Sequence, residues 1–368
     1  MLFDLFRGKR VFLTGHTGFK GAWMAEWLLE LGADVTGFSL APPTKPALFE
    51  QLQLQKRLDH LVGDIRDLSA LKAALRAAAP EFIFHLAAQS LVRRSYDAPV
   101  ETFGTNVLGT VNVLEAVRSL ETRCAVVVAT TDKCYLNTEH KQAFGENDPL
   151  GGRDPYSASK AGAELAANAY RSSFFQNGTV AMATARAGNV LGGGDWAADR
   201  ILPDCIRALS QRQPICIRNP DAVRPWQHVL ESVSGYLTLG ARLFEAQGKS
   251  SAEALRENCD AFNFGPSSNA ERTVRELVNE VLKTWPGTSS AAPSREGPHE
   301  AHCLRLSIEK ARRILGWTPV WDFEKTVART VEWYRKSAEN GDSIQALTHA
   351  QIDEYLADAR ATNAGWTT

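Results

Sequence analysis

The chain has 368 residues, 44% hydrophobic and 23% charged, with 41 Lys and Arg against 42 Asp and Glu. That length suits one large domain or two smaller ones with buried cores, and a formal charge of -1 lacks the basic excess that nucleic acid or an anionic membrane surface requires. No apolar run reaches membrane-spanning length, the opening MLFDLFRGKRVFLTG is unlike a cleaved signal peptide, and six cysteines without a CxxC pair are expected to be reduced, cytoplasmic thiols.

In chain order, VFLTG precedes the helical pattern AWMAEWLLELG, and DVTGFS and LDHLVGDI precede DLSALKAALRAAA. FIFHLAA leads to TNVLGTVNVLEAVRSL, and CAVVVATTD leads to a helix beginning at Tyr156, after which comes TVAMATARAGNV. Strands alternating with helices of this length predict βαβ crossovers, hence an α/β fold of Rossmann type with a doubly wound parallel sheet. Past Val190 the rhythm breaks into LGGGDWAADRILPD and RNPDAVRPWQ, and DAFNFG returns to the sheet. The expected division is a dinucleotide-binding part, 1–190 with a return at about 225–265, and a smaller substrate-binding part made of 191–224 and 266–368. The final ATNAGWTT is expected to be a loose tail.

GHTGFKG sets Gly15, Gly18 and Gly21 between the first strand and its helix. Gly15 permits the turn, Gly18 the approach of a pyrophosphate, and Gly21 the packing of helix on sheet, while the helix N-terminus favours the anion. His16 and Lys20 within the loop are candidates for cofactor phosphates. Ser39 stands where an acid usually holds the ribose hydroxyls. A serine binds a hydroxyl without repelling a phosphate, so the residues alone leave NAD and NADP open.

DPYSASK offers Asp154 and Pro155 as a helix start and puts Tyr156 and Lys160 four residues apart on one face. Lys160 would ease deprotonation of the phenol. GHTGFKG, HLAAQ, TTDKCY and YSASK, in this order, resemble the extended short-chain dehydrogenase/reductase superfamily. Together with GGRDPYSASK, ARAGNVLGGGDWAADRILPD, IRNPDAVRPWQHVLE and FNFGP, they resemble its NAD-dependent sugar-nucleotide 4,6-dehydratases, and among these the CDP-glucose branch, where Asp-Lys replaces the commoner Asp-Glu pair.

The resemblance implies NAD as cofactor, with Phe19, Asp64, Ile65, Leu86, Ala87, Ala88 and Thr105 along it and Asp64 at the adenine amine. Thr130 or Thr131 joins Tyr156 and Lys160 at the nicotinamide. The implied reaction oxidises sugar C4, which acidifies the C5 proton, expels water from C6 and returns the hydride to C6. Asp132 would be the acid at the C6 hydroxyl and Lys133 the base at C5, a role that desolvation and nearby cations favour and Asp132 opposes.

Asn189 and Arg224 match residues at the substrate diphosphate, a bidentate guanidinium suiting phosphate. Arg200 and Arg218 are further candidates, and Gln89 and Ser90 would border the sugar. His299, Glu300 and His302 do not have HExxH spacing and lack a third ligand, so no metal is expected; the resemblance puts His299 and His302 beside the nucleotide. Trp196, Trp226, Trp285 and Trp317 read as packing residues. The helices at Thr105–Leu120 and Tyr156–Phe175 match the pair that forms a four-helix homodimer contact. The product would feed deoxysugar synthesis for surface polysaccharide such as lipopolysaccharide O-antigen. The alternatives are a dehydratase of another nucleotide hexose, a 4-epimerase, which would not need Asp132 and Lys133, and a non-catalytic dinucleotide-binding regulator, which would not need Tyr156 and Lys160.

Overall fold

The computed structural model describes the whole chain except residues 139–142, 249–251, 268–270, 292–303, 340–342 and 368. Its centre is a seven-stranded sheet built from β1 (Arg10–Thr14), β2 (Asp34–Ser39), β3 (Asp59–Val62), β4 (Phe82–His85), β5 (Cys124–Thr131), β6 (Val180–Ala187) and β7 (Ala261–Phe264). The spatial order is β7-β6-β5-β4-β1-β2-β3, and every pairing is parallel. The longest register, Cys124↔Val180 to Thr131↔Ala187, joins β5 and β6. Both strands are apolar along most of their length because both faces are covered. The short edge strand β3 is only partly buried, as an edge must be.

Helices α1 (Phe19–Glu30), α2 (Leu68–Ala78), α3 (Gly109–Arg118) and α4 (Pro155–Phe174) make the crossovers. Asp67 caps α2 by accepting from Ser69 and Ala70 amides at 2.9 and 3.0 Å, and Asp154 caps α4 by accepting from Ser157 N at 2.9 Å, with Pro155 in the first turn. One apolar layer forms between the sheet and α2, α3 and α4, around Leu71, Leu75, Val113 and Val117. The other gathers Trp23, Trp27, Val233, Leu237 and the C-terminal aromatics on the opposite face.

Beyond β6 the chain adds α5 (Ile201–Ser210), α6 (Val229–Gly248), α7 (Val274–Thr284), α8 (Phe323–Glu339) and α9 (Ile344–Ala361). Two small sheets pair Ile215–Ile217 with Ser289–Ala291 and Val223–Pro225 with Glu271–Thr273. The tail differs from its expectation. Trp366 is 1% exposed, stacked on Phe3 at 5.1 Å and Tyr355 at 5.9 Å, because the N-terminal turn and α9 leave an aromatic slot that the indole fills. Among the described residues no helix is long and apolar enough to cross a membrane.

Candidate active site

The C-terminal ends of the strands open into one cleft of about 900 Å³, the place where an open parallel sheet receives ligands. Gly15 turns there with φ of 81°, and a Cβ on it would fall 2.6 Å from the Ala87 nitrogen. A Cβ on Gly21 would fall 2.1 Å from the Gly15 carbonyl oxygen, so loop and helix touch backbone to backbone. Gly18 meets nothing closer than 3.4 Å and presents a bare face at the start of α1, where helix N–H groups are free. At the end of β2 the Ser39 hydroxyl is buried with no hydrogen-bond partner among the described residues, although the residue lines the cleft. A bare glycine cradle and an orphaned hydroxyl fit the pyrophosphate and ribose of a dinucleotide. Phe19, Asp64, Ile65, Leu86, Ala87, Ala88 and Thr105 line the same cleft, Asp64 being held by Arg66 at 2.9 Å.

Two loop residues differ from expectation in different ways. The His16 side chain is turned into the core, where Nε2 meets His60 Nδ1 at 2.7 Å and the ring lies under Gly37, so it offers nothing to a cofactor phosphate. Burial lowers this imidazole to about 3, which keeps it neutral. Lys20 does line the cleft, but its ammonium donates to the Tyr236 hydroxyl at 3.1 Å and stands among Arg200, Lys160 and Asp132. Burial, then the two cations, lower it to about 7.

At the end of β5 the strand and α4 bring the candidate catalytic residues together. Thr131 donates to Asp132 Oδ1 at 2.9 Å and accepts from Lys133 N at 3.3 Å, and its side chain faces the Tyr156 phenol. Thr130 instead gives its hydroxyl to the buried Glu164. Of the two threonines it is Thr131 that faces Tyr156, since successive strand residues point to opposite sides.

Asp132 is 3% exposed. Its Oδ2 lies where a Cβ on Gly188 would come within 2.9 Å, so the chain just past the end of β6 must be bare there. Burial raises this carboxyl, opposed by Lys133, Thr131 and Arg224. Burial pushes the Tyr156 phenol up to about 12, with the Thr131 side chain opposing. Lys160 donates to the Ala129 carbonyl at 3.2 Å, and burial lowers it to about 8 while Glu164 opposes.

On the substrate side Ser90, Asn189, Arg200, Arg218 and Arg224 all line the cleft. Arg200 is held by Asp195 at 2.8 Å and reaches Ser90 Oγ at 3.4 Å, and Arg218 is held by Asp199 at 2.8 Å. Gln89 borders the cleft, but its amide is engaged by its own loop and by the helix at Pro99–Phe103: Nε2 donates to Leu91 O and Thr102 Oγ1 at 3.0 Å each, and Oε1 accepts from Leu91 N at 2.6 Å. It shapes the loop rather than offering a side chain to a sugar. His299, Glu300 and His302 lie outside the described residues. Among the described residues no cluster of His, Cys, Asp or Glu could hold a metal ion. Trp226 and Trp317 are buried, as packing residues should be.

Two residues of the site escaped the sequence reading. Tyr236, partner of Lys20, gives no signal because it lies 216 residues away. Glu164, four residues after Lys160 on the same helical face, could have been found by continuing the spacing one step.

The profile of the GDP-mannose 4,6 dehydratase family matches residues 12–330. The chain is 45% identical, over 96% of its length and 98% of the relative, to the CDP-glucose 4,6-dehydratase of Salmonella typhimurium. It is 26% identical, over 90% of its length and all of the relative, to the UDP-glucose 4-epimerase of Mycolicibacterium smegmatis. Among solved structures, the dTDP-glucose 4,6-dehydratase of Streptomyces venezuelae with NAD bound superposes with a TM-score of 0.74 and 26% identity, covering 90% of this chain and 99% of that one. A seven-stranded parallel sheet, a glycine cradle, and Asp132, Lys133, Tyr156 and Lys160 at one strand end accord with a match that runs nearly end to end: the chain belongs to the GDP-mannose 4,6 dehydratase family.

Proposed function

We propose that the protein is an NAD-dependent hydro-lyase that converts CDP-D-glucose to CDP-4-dehydro-6-deoxy-D-glucose and water. The observation that carries this reading is the 45% identity, spanning 96% of the chain, with the Salmonella CDP-glucose 4,6-dehydratase. The acid and lysine beside Tyr156 support it, because a 4-epimerase has no need of groups for C5 and C6, and a regulator has no need of Tyr156 and Lys160. The glycine cradle and Ser39 suit the cofactor, and NAD itself is the dinucleotide in the Streptomyces relative. On this reading residues 1–190 and about 225–265 serve the cofactor and the remainder the nucleotide sugar.

The chemistry that bound NAD supplies is acceptance of hydride from sugar C4 and its return to C6. Tyr156 takes the proton of the C4 hydroxyl, aided by the positive charge of Arg200. The resulting ketone acidifies the C5 proton, which Lys133 removes and, as hydride returns to C6, replaces at C5 with a solvent-exchanged proton. Asp132, its carboxyl raised by burial, holds a proton to higher pH than an exposed acid and gives it to the departing C6 hydroxyl. Asn189, Arg224, Arg200 and Arg218 serve the substrate diphosphate, with His299 and His302 beside the nucleotide.

A cytoplasmic homodimer through α3 and α4 completes the proposal, feeding deoxysugar synthesis for surface polysaccharide. Leu108, in the turn that leads into α3, and Leu165 on α4 are 61% and 60% exposed, apolar side chains that a four-helix contact would cover.

The test is mass spectrometry of the protein with NAD in heavy water against CDP-, dTDP-, UDP- and GDP-hexoses. Loss of one water with one solvent deuterium retained at C5, from CDP-glucose alone, is the expected result. Water loss from a different nucleotide hexose overturns the nucleotide, and an unchanged mass with all of them overturns the reaction.

A further inference from the structure

Residues 156, 160 and 164 recur every four positions along α4 and lie against the last three residues of β5. The Tyr156 phenol meets the Thr131 side chain, Lys160 Nζ donates to the Ala129 carbonyl at 3.2 Å, and the Thr130 hydroxyl donates to Glu164. Helix and strand end are thus joined by three rungs. Two of them carry reacting residues, and the third has no part in the mechanism above.

Glu164 is 3% exposed. Its Oε2 accepts from Thr184 Oγ1 at 2.9 Å and from Arg186 Nη2 at 2.8 Å, both donors on β6. Arg186, 4% exposed, is fixed in turn by donating to the Tyr135 hydroxyl at 2.8 Å and the Glu146 carbonyl at 3.0 Å. Apolar side chains of similar volume commonly replace such a buried ion pair without loss of stability. Packing alone therefore gives no reason for an anion at this place.

We propose that Glu164 is a positioning residue of the reaction: anchored by Thr130, Thr184 and Arg186, it fixes a carboxylate one helical turn beyond Lys160, on the face of α4 that lays Lys160 and Tyr156 against the strand end. The inference deepens the dehydratase reading and rests on it. The groups that face Lys160 are Glu164 on its own helix, Cys134 after β5, His85 on β4 and Lys20 on α1. Burial pushes the Cys134 thiol well up and the His85 imidazole down to about 3, so both are uncharged near neutral pH. Lys20 opposes a second cation. That leaves Glu164 as the anion among these groups that offsets the desolvation of Lys160.

The experiment compares wild type, Glu164→Gln and the double variant Glu164→Gln/Arg186→Met. It reads the pH dependence of NAD binding by calorimetry, the pH dependence of kcat/KM, and the melting temperature. In Glu164→Gln the alkaline limbs of binding and turnover should both move down by about one pH unit, since opposite charges on adjacent helical turns, about 5–6 Å apart, shift each other on that scale. Glu164→Gln also strands the Arg186 charge, so its melting temperature should fall, and the double variant should recover most of that fall. The proposal expects the displaced limbs to persist in the double variant. If the double variant regains the wild-type limbs together with its melting temperature, Glu164 is only the packing partner of Arg186 and the inference is overturned. Absence of water loss from any nucleotide hexose by wild type would sink the dehydratase reading instead, and the NAD-binding limb would still decide the role of Glu164.

Discussion

Two long helices each bury a glutamate, and their surroundings differ in kind. Glu164 on α4, behind the reacting strand end, meets a guanidinium, with Arg186 Nη2 at 2.8 Å. Glu231 on α6, beneath the C-terminal segment, meets only neutral donors among the described residues: the amides of Val320 at 3.0 Å and Trp321 at 2.7 Å, and the Tyr355 hydroxyl at 2.6 Å. Three good hydrogen bonds do not replace a counter-charge, and burial raises the Glu231 carboxyl to about 7. The catalytic side of the molecule is therefore arranged around opposed charges, whereas the C-terminal side is arranged around a hydrogen-bonded clamp that tolerates a proton.

Lys133→Met should show the largest effect, and it touches neither glutamate. Turnover should fall about 10²- to 10⁴-fold, the range of a lost acid or base, while NAD binding and melting temperature stay at wild-type values. An unchanged turnover number, measured with CDP-glucose, would remove Lys133 from the reaction. Arg186→Met attacks the charged side directly, because it leaves Glu164 buried without its cation. It should cost about 3–5 kcal/mol of stability in a urea titration, and a loss near zero would mean that the pair contributes no more than its hydrogen bonds.

Trp366→Ala attacks the other side. Removing an indole stacked on both Phe3 and Tyr355 should cost about 3 kcal/mol, seen as a lower melting temperature at saturating as well as zero NAD.

The smallest effect belongs to Glu231→Gln. An acid whose folded pKa is raised stabilises the fold fully below its unfolded value of about 4.5, and that contribution is lost as pH rises through about 7. The glutamine variant does not titrate. It should lie within about 1 kcal/mol of wild type at pH 5 and gain on it by pH 8, with melting temperature against pH as the readout. Glu30, also raised by burial to about 7, titrates in the same window in both proteins and cancels from the difference. Parallel curves for the two proteins would show that Glu231 does not titrate in that range.

The seven strands and their crossovers were legible in the sequence because each rests on local period: apolar runs of strand length, helices of crossover length, and a cap such as Asp154 that acts within three residues. The cleft-lining glycines were legible for the same reason, since Gly15 and Gly21 constrain backbone a few residues away. The pairing of Asp132 and Lys133 with Tyr156 and Lys160 was legible through family resemblance, not through physics. Tertiary structure alone decided that His16 turns inward to His60, that Lys20 meets Tyr236, and that Thr131 rather than Thr130 faces the phenol. It also turned the final residues from a loose tail into a buried plug around Trp366. Local spacing fixes which way a strand or helix runs and where a turn must be bare. Which partner a buried polar group or a terminal aromatic ring meets depends on elements tens to hundreds of residues away, and only packing brings those within reach.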